Sequence, residues 1–307
     1  MKVKFTREQR IVNALMIHAS LIDNLGLLHG KMGVALCFFH LGRLKGNEVF
    51  TRFAEGLLDE VIEGLHTDLP VDFENGITGI GWAAEHLIQN GFVEADADDI
   101  LEELDAKVKR ALMHEECGLD TIISIGYYLV SRISYRADND DSMVVLDMKY
   151  LIILLTDEIE RQIAGGASSS VLYDLLSELH KLNVFNHKVE KLLTLCQRGF
   201  AACHSECSVA ESKNLGDPST SLRMTGKNHK GDFAISTAVV ERDSCSYLIP
   251  YIPRLSAPDV EAIMNGKDVR SRYAGFDMKL IPESERWGLK RGIAGFGLQK
   301  IFIDNGL

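Results

Sequence analysis

Across residues 1–200, two patterns of apolar and polar positions take turns. Over 6–20, Ile11, Val12, Leu15, Met16 and Ala19 recur at helical spacing and predict a helix with one apolar stripe. Over 30–44, Val34, Ala35, Leu36, Cys37, Phe38, Phe39 and Leu41 leave almost no polar face, which predicts a helix buried on most sides. The striped pattern returns over 48–65, 97–113, 148–163 and 189–200. The predominantly apolar pattern returns over 76–90, 118–133 and 168–182. A striped helix can be covered on one side only, whereas one that is apolar all round needs neighbours on both. The alternation therefore predicts an all-α fold of two concentric helical layers.

The inner-type helices open alike. Gly30-Lys31-Met32-Gly33, Gly76-Ile77-Thr78-Gly79 and Gly292-Ile293-Ala294-Gly295 each place glycines three apart at the head of an apolar run, and weaker copies begin at Gly118 and Gly166. The first four openings in chain order, Gly30, Gly76, Gly118 and Gly166, lie 46, 42 and 48 residues apart, a period that fits a helical hairpin repeat. Each glycine costs about 1 kcal/mol of helix propensity against alanine, so close packing or a functional rim must compensate. Between 205 and 285 the rhythm stops. This irregular stretch contains five of the six prolines, two segments that read as strands (233–240 and 247–252, a possible β-hairpin) and a short helix at 257–265. The whole chain, 1–307, reads as one domain carrying an insertion at 205–285.

Composition narrows the function classes. A 46% hydrophobic content supplies a large core, and a net charge of −11 disfavours nucleic acid, whose phosphates require concentrated Lys and Arg. No apolar run is long enough to span a bilayer, and the charged N-terminus lacks a signal-peptide pattern, so a cytoplasmic location is expected. The six scattered cysteines read as reduced thiols, mostly in the core.

Gly26-Leu27-Leu28-His29-Gly30-Lys31-Met32-Gly33-Val34-Ala35-Leu36, Asn75-Gly76-Ile77-Thr78-Gly79-Ile80-Gly81-Trp82 and Gly288-Leu289-Lys290-Arg291-Gly292-Ile293-Ala294-Gly295-Phe296-Gly297-Leu298 resemble the inner-helix openings of the lanthionine synthetase C-like family. The resemblance covers 1–134 and 286–303, extends to 200 more weakly, and is absent between. It implies an α/α toroid, a barrel of helical hairpins, here shortened and incomplete. It also implies a bacterial role in modifying a ribosomally made peptide. In the family's cyclases zinc activates a cysteine thiol for thioether (lanthionine) formation, which takes two Cys and one His on the metal. His29 stands where the motif's histidine would, but Leu28 replaces the cysteine, and the late repeat reads Lys290-Arg291-Gly292 without either ligand. The expectation is therefore no resident cofactor, with Cys203, His204 and Cys245 as the residual candidates for a relocated zinc site.

The inner-helix starts nominate His29, Lys31, Asn75, Cys117, Asp120 and Arg291 as a peptide- or protein-binding rim, with helix N–H groups suited to a carboxylate or carbonyl. A thioether-forming cyclase is one alternative. A toroid-type carbohydrate-active enzyme using two carboxylates among Asp72, Glu74 and Asp120 is another. A helical scaffold that simply binds a protein is a third. The acidic run Asp96, Asp98, Asp99, Glu102, Glu103 reads as the first turn of a helix favoured by its dipole.

Overall fold

Nine helices account for most of the described residues, which in this computed structural model are 6–65, 68–114, 117–136, 142–167 and 169–197, with 270–271, 279–280, 287–289 and 294–295. They are α1 (Arg7–Ala19), α2 (Lys31–Lys45), α3 (Glu48–Glu63), α4 (Ile77–Gln89), α5 (Ala97–His114), α6 (Leu119–Ser134), α7 (Met143–Ala164), α8 (Ser170–Lys181) and α9 (186–197). The fold class is all-α. The predicted strands at 233–240 and 247–252 lie outside the described residues. Within the same stretch, β1 (Arg270–Ser271) pairs antiparallel with β2 (Lys279–Leu280), Arg270 opposite Leu280.

Burial follows the predicted alternation from α2 to α6 but not at α8, which was expected to be apolar on most sides and buries one face, through Val171, Leu172, Leu175, Leu176 and Leu179. In α2 every residue from Met32 to Gly42 is buried, whereas α3 buries only Ala54, Leu57 and Val61. Each even-numbered helix from α2 to α6 packs against the odd-numbered one that follows it. The even-numbered helices also pack in sequence, α2 on α4, α4 on α6 and α6 on α8. This makes one layer of apolar helices and a second layer of striped ones.

Local chemistry sets the helix starts. Thr6 and Gln9 form a reciprocal capping box on α1, and Asn47 caps α3. Ser142 caps α7, whose first turn therefore precedes the stripe predicted from 148. Gly166 does not open a unit. It follows the end of α7 at φ 92°, the left-handed conformation that favours glycine after a helix, and Ser169 caps α8 instead.

The paired glycines have a specific cause. The loops before α2 and α4 fold back in the same way, so that the Lys31 N–H donates to the Asn24 carbonyl (2.8 Å) and the Ile77 N–H to the Pro70 carbonyl (2.9 Å). The returning chain lays the Leu27 carbonyl oxygen 2.0 Å from where a Cβ on Gly33 would sit, and the Phe73 carbonyl oxygen 2.0 Å from that of Gly79. Further along, Gly81 admits the Tyr128 ring and Gly126 admits Leu175, which brings α6 close to α4 and α8 close to α6.

Contacts between units repeat too. Gly26 lies against the backbone of Asn75, Leu27 against Gly79, and the Leu28 N–H donates to the Glu74 carbonyl at 2.8 Å. Gly288 and Leu289, which stand in the late repeat where Gly26 and Leu27 stand in the first, lie against the backbone of His29 and against Gly33. Trp287 stacks on His18 of α1 at 3.7 Å.

A buried charge cluster ties α4, α5 and α6 together. The fully buried Arg132 donates to Glu85 (2.8 Å), Asp105 (2.8 Å) and Asp98 (3.0 Å), and the Tyr128 hydroxyl donates to Asp105. Burial opposes the Arg132 charge, but the hydrogen bond and charge of Asp105 outweigh it and raise the guanidinium pKa. The Arg136 hydrogen bond holds the Asp98 carboxyl below its usual range.

Two substitution sets test these constraints by urea unfolding. Gly79→Ala, which drives a methyl into the Phe73 carbonyl, should lose at least about 2 kcal/mol, whereas Gly56→Ala, exposed in α3 with open space around it, should gain about 0.5–1 kcal/mol. Arg132→Met, which strands Glu85 and Asp105 without their cation, should lose about 3–5 kcal/mol, while Lys191→Met at its exposed pair with Glu160 should leave the urea midpoint essentially unchanged.

Candidate functional site

The starts of α4, α6 and α8 surround a cavity of about 270 Å³. Its polar wall is Asp72, Glu74, Asn75, Asp120, Ser124 and Ser169, over an apolar base that includes Phe73 and Ile123. The loop before α4 supplies half of that wall because it is locked internally. The Asn75 N–H donates to Asp72 Oδ1 (2.6 Å), and Asn75 Oδ1 accepts from Asn24 Nδ2 (2.7 Å). Ser124 Oγ accepts from the Phe73 N–H (3.2 Å) and donates to the Asp120 carbonyl (2.7 Å), fixing the loop to α6.

Of the rim residues read from the sequence, Asn75 and Asp120 line this cavity. His29 sits behind it, its Nε2 3.2 Å from Glu74 Oε2. Lys31 turns to the other layer and pairs with Glu60 of α3. Cys117 is buried, its Sγ 3.6 Å from the Ala111 carbonyl. Arg291, Cys203, His204 and Cys245 lie outside the described residues. Asp72 and Glu74, weighed in the sequence only as paired carboxylates, are part of the wall, as are the serines Ser124 and Ser169.

Several of the helix N–H groups expected to take a carboxylate are engaged elsewhere. Those of Lys31, Met32 and Ile77 donate to carbonyls of their own preceding loops, and the Val171 N–H donates to Ser169 Oγ. With Asp72, Glu74 and Asp120 on the wall and no cation among the lining residues, the cavity favours donors: an ammonium, a guanidinium or an amide N–H.

At the far end of the same helices, His40 of α2 and His86 of α4 occupy equivalent repeat positions and face each other, Nε2 to Nε2 at 3.2 Å. One ring donates and the other accepts, so both are neutral. Phe92 packs on the pair and carries Arg43 over its face at 3.3 Å. Burial, then Arg43, pushes His40 down to about 4. Burial, then His40 and Arg43, pushes His86 down to about 3. Aligning the repeats would have revealed this pair in the sequence. Among the described residues no group of three or more His, Cys, Asp or Glu is arranged to hold a metal ion.

Compared with family models, curated proteins and solved structures, the chain matches none.

The histidine pair predicts acid lability. Both folded pKa values lie below the unfolded one, so between them the unfolded chain binds more protons. Stability is therefore complete above about pH 6.5 and falls as pH drops toward 4, by about 1.4 kcal/mol per unit for each histidine. Urea unfolding at successive pH values should give this slope in the parent and a shallower one in a His40→Leu/His86→Leu double variant.

Proposed function

We propose that the chain is a lanthionine synthetase C-like protein, a shortened α/α toroid that binds a ribosomally made peptide at the cavity formed by its inner-helix starts. The observation that carries this reading is that cavity, a concave polar wall on an apolar base at the point where three repeat openings converge. Ring closure is supported by the reuse of one contact. Gly288 and Leu289 meet the first unit through His29 and Gly33, as Gly26 and Leu27 meet the second through Asn75 and Gly79. A last repeat that contacts the first as the first contacts the second is what a closed ring requires and an open solenoid does not.

The zinc chemistry of the family's cyclases does not fit the described residues. Buried Leu28 occupies the cysteine's position, so His29, whose Nε2 meets Glu74, has no thiolate beside it in the motif to complete a metal site. The reading is therefore binding or assistance in peptide maturation, with the wall carboxylates accepting from the peptide's amide or cationic groups.

The same three carboxylates bear on the carbohydrate-active alternative. Asp72 accepts a backbone N–H and Glu74 meets an imidazole, so both carboxylates are tied into the wall rather than free to work as an acid–base pair. Peptide binding is the better-supported use of this wall.

The test measures binding of a fluorescent panel of Ser-, Thr-, Cys- and Lys-containing peptides, with zinc content measured in parallel. Asp120→Asn combined with Asn75→Ala should weaken the best binder about tenfold or more. Unchanged binding would refute the cavity. Near-stoichiometric zinc lost on Cys203→Ala or His204→Ala would replace this reading with the cyclase.

A further inference from the structure

A second surface lies away from the cavity and does not depend on that reading. The outer helices α5 and α7 pack together, but α3 and α5 make little direct contact, and a cleft of about 50 Å³ separates them. Leu58 and Ile62 form one wall, Ile100 and Leu104 the other, and Met32 and Ala84 lie in the floor. Every lining residue is apolar, so water inside would find no side-chain hydrogen-bond partner. Ile62 is 46% exposed and Ile100 39% exposed, large values for isoleucines that face each other across an apolar cleft.

Charge identifies the occupant. On α3, helical spacing puts Glu55 and Asp59 beside Ile62. On α5, Glu103 stands one turn from Ile100 and Asp99 one turn from Glu103, and Asp96, just before the helix, stands one turn from Ile100 on the other side. All five are exposed, and Glu55, Asp59, Asp99 and Glu103 have no ion-pair partner among the described residues. The acidic run at the start of α5 thus divides its work: Asp98 turns inward to Arg132 and Arg136, while its neighbours stay on the cleft's border. The nearest cations are engaged. Arg52 pairs with Glu48, and Lys107 donates to the Leu69 carbonyl at one end of the cleft.

From this we propose that the α3–α5 cleft is a docking groove for a cationic amphipathic helix of a partner polypeptide. Its apolar stripe would enter between Ile62 and Ile100, and its flanking Lys or Arg side chains would meet the two acidic borders.

A fluorescein-labelled Leu/Lys peptide of about four helical turns, with leucines on one stripe, is the probe, read by anisotropy on the full chain. Ile62→Glu and Ile100→Glu add negative charge but remove the apolar wall, and each should weaken binding about tenfold. Glu55→Lys/Asp59→Lys should weaken it as well. Both isoleucines are solvent-exposed, so these variants should keep the parent's circular dichroism and melting transition. Lys191→Met on α9, outside both surfaces, should bind the probe as the parent does, and Asp120→Asn in the cavity reports any probe held there instead. The proposal is overturned if the parent does not bind, if a peptide of the same composition in scrambled order binds equally, or if the isoleucine variants bind as well as the parent. Loss of binding confined to the cavity variant would also overturn it, by assigning the probe to the other site.

Discussion

A backbone carbonyl resting on a glycine is the constraint on which the rest of this molecule depends. Leu27 over Gly33 and Phe73 over Gly79 allow each loop to return across the first turn of the helix it precedes, where a side chain on the glycine would collide with the chain itself. The returning loop then satisfies the helix's own first N–H groups, as Asn24 does for Lys31 and Pro70 for Ile77. It also presents its outer edge to the next unit, so that Leu28 bonds to the Glu74 backbone and Gly288 reaches His29. One local collision avoided twice thus sets the helix starts, the contact between units and the wall of the cavity.

That economy of N–H groups decides the character of the cavity. Helix N-termini ordinarily attract anions, but here the first donor of α4 is used by the Pro70 carbonyl and the Val171 N–H of α8 by Ser169, and three carboxylates face the space beside one amide and two serines. The site is consequently an acceptor surface. The cleft between α3 and α5 is also bordered by carboxylates, although its floor is wholly apolar. Carboxylates at both surfaces are the common ground of the two binding proposals.

Polar groups in the interior serve the packing of the apolar helices. Arg132 gathers Glu85, Asp98 and Asp105 from two other helices, and every charge has an opposite partner within hydrogen-bond reach. His40 and His86 solve the same problem without charge, each satisfying the other across α2 and α4. The first arrangement resists change in pH over the neutral range. The second is destabilised when the accepting ring must take a proton, because its nitrogen can then no longer accept the other ring's N–H and burial excludes the solvent that would stabilise the charge.

The sequence by itself determined the all-α class, the alternation of apolar and striped helices and the openings at Gly30 and Gly76, because each rests on spacing within one helix or on one glycine's missing side chain. It also placed Asn75 and Asp120 near a shared rim. Only the tertiary structure decided that Lys31 turns to Glu60 and Cys117 into the core, since a side chain at a helix start can face either layer until its neighbours are in place. It decided likewise that Gly166 finishes α7 instead of starting α8, a choice set by its positive φ, which no spacing rule reports. The histidine pair shows in the sequence only when the repeats are aligned, and the Arg132 cluster and the cleft between α3 and α5 were beyond local pattern because each joins residues more than twenty positions apart through contacts that exist only once the layers have packed.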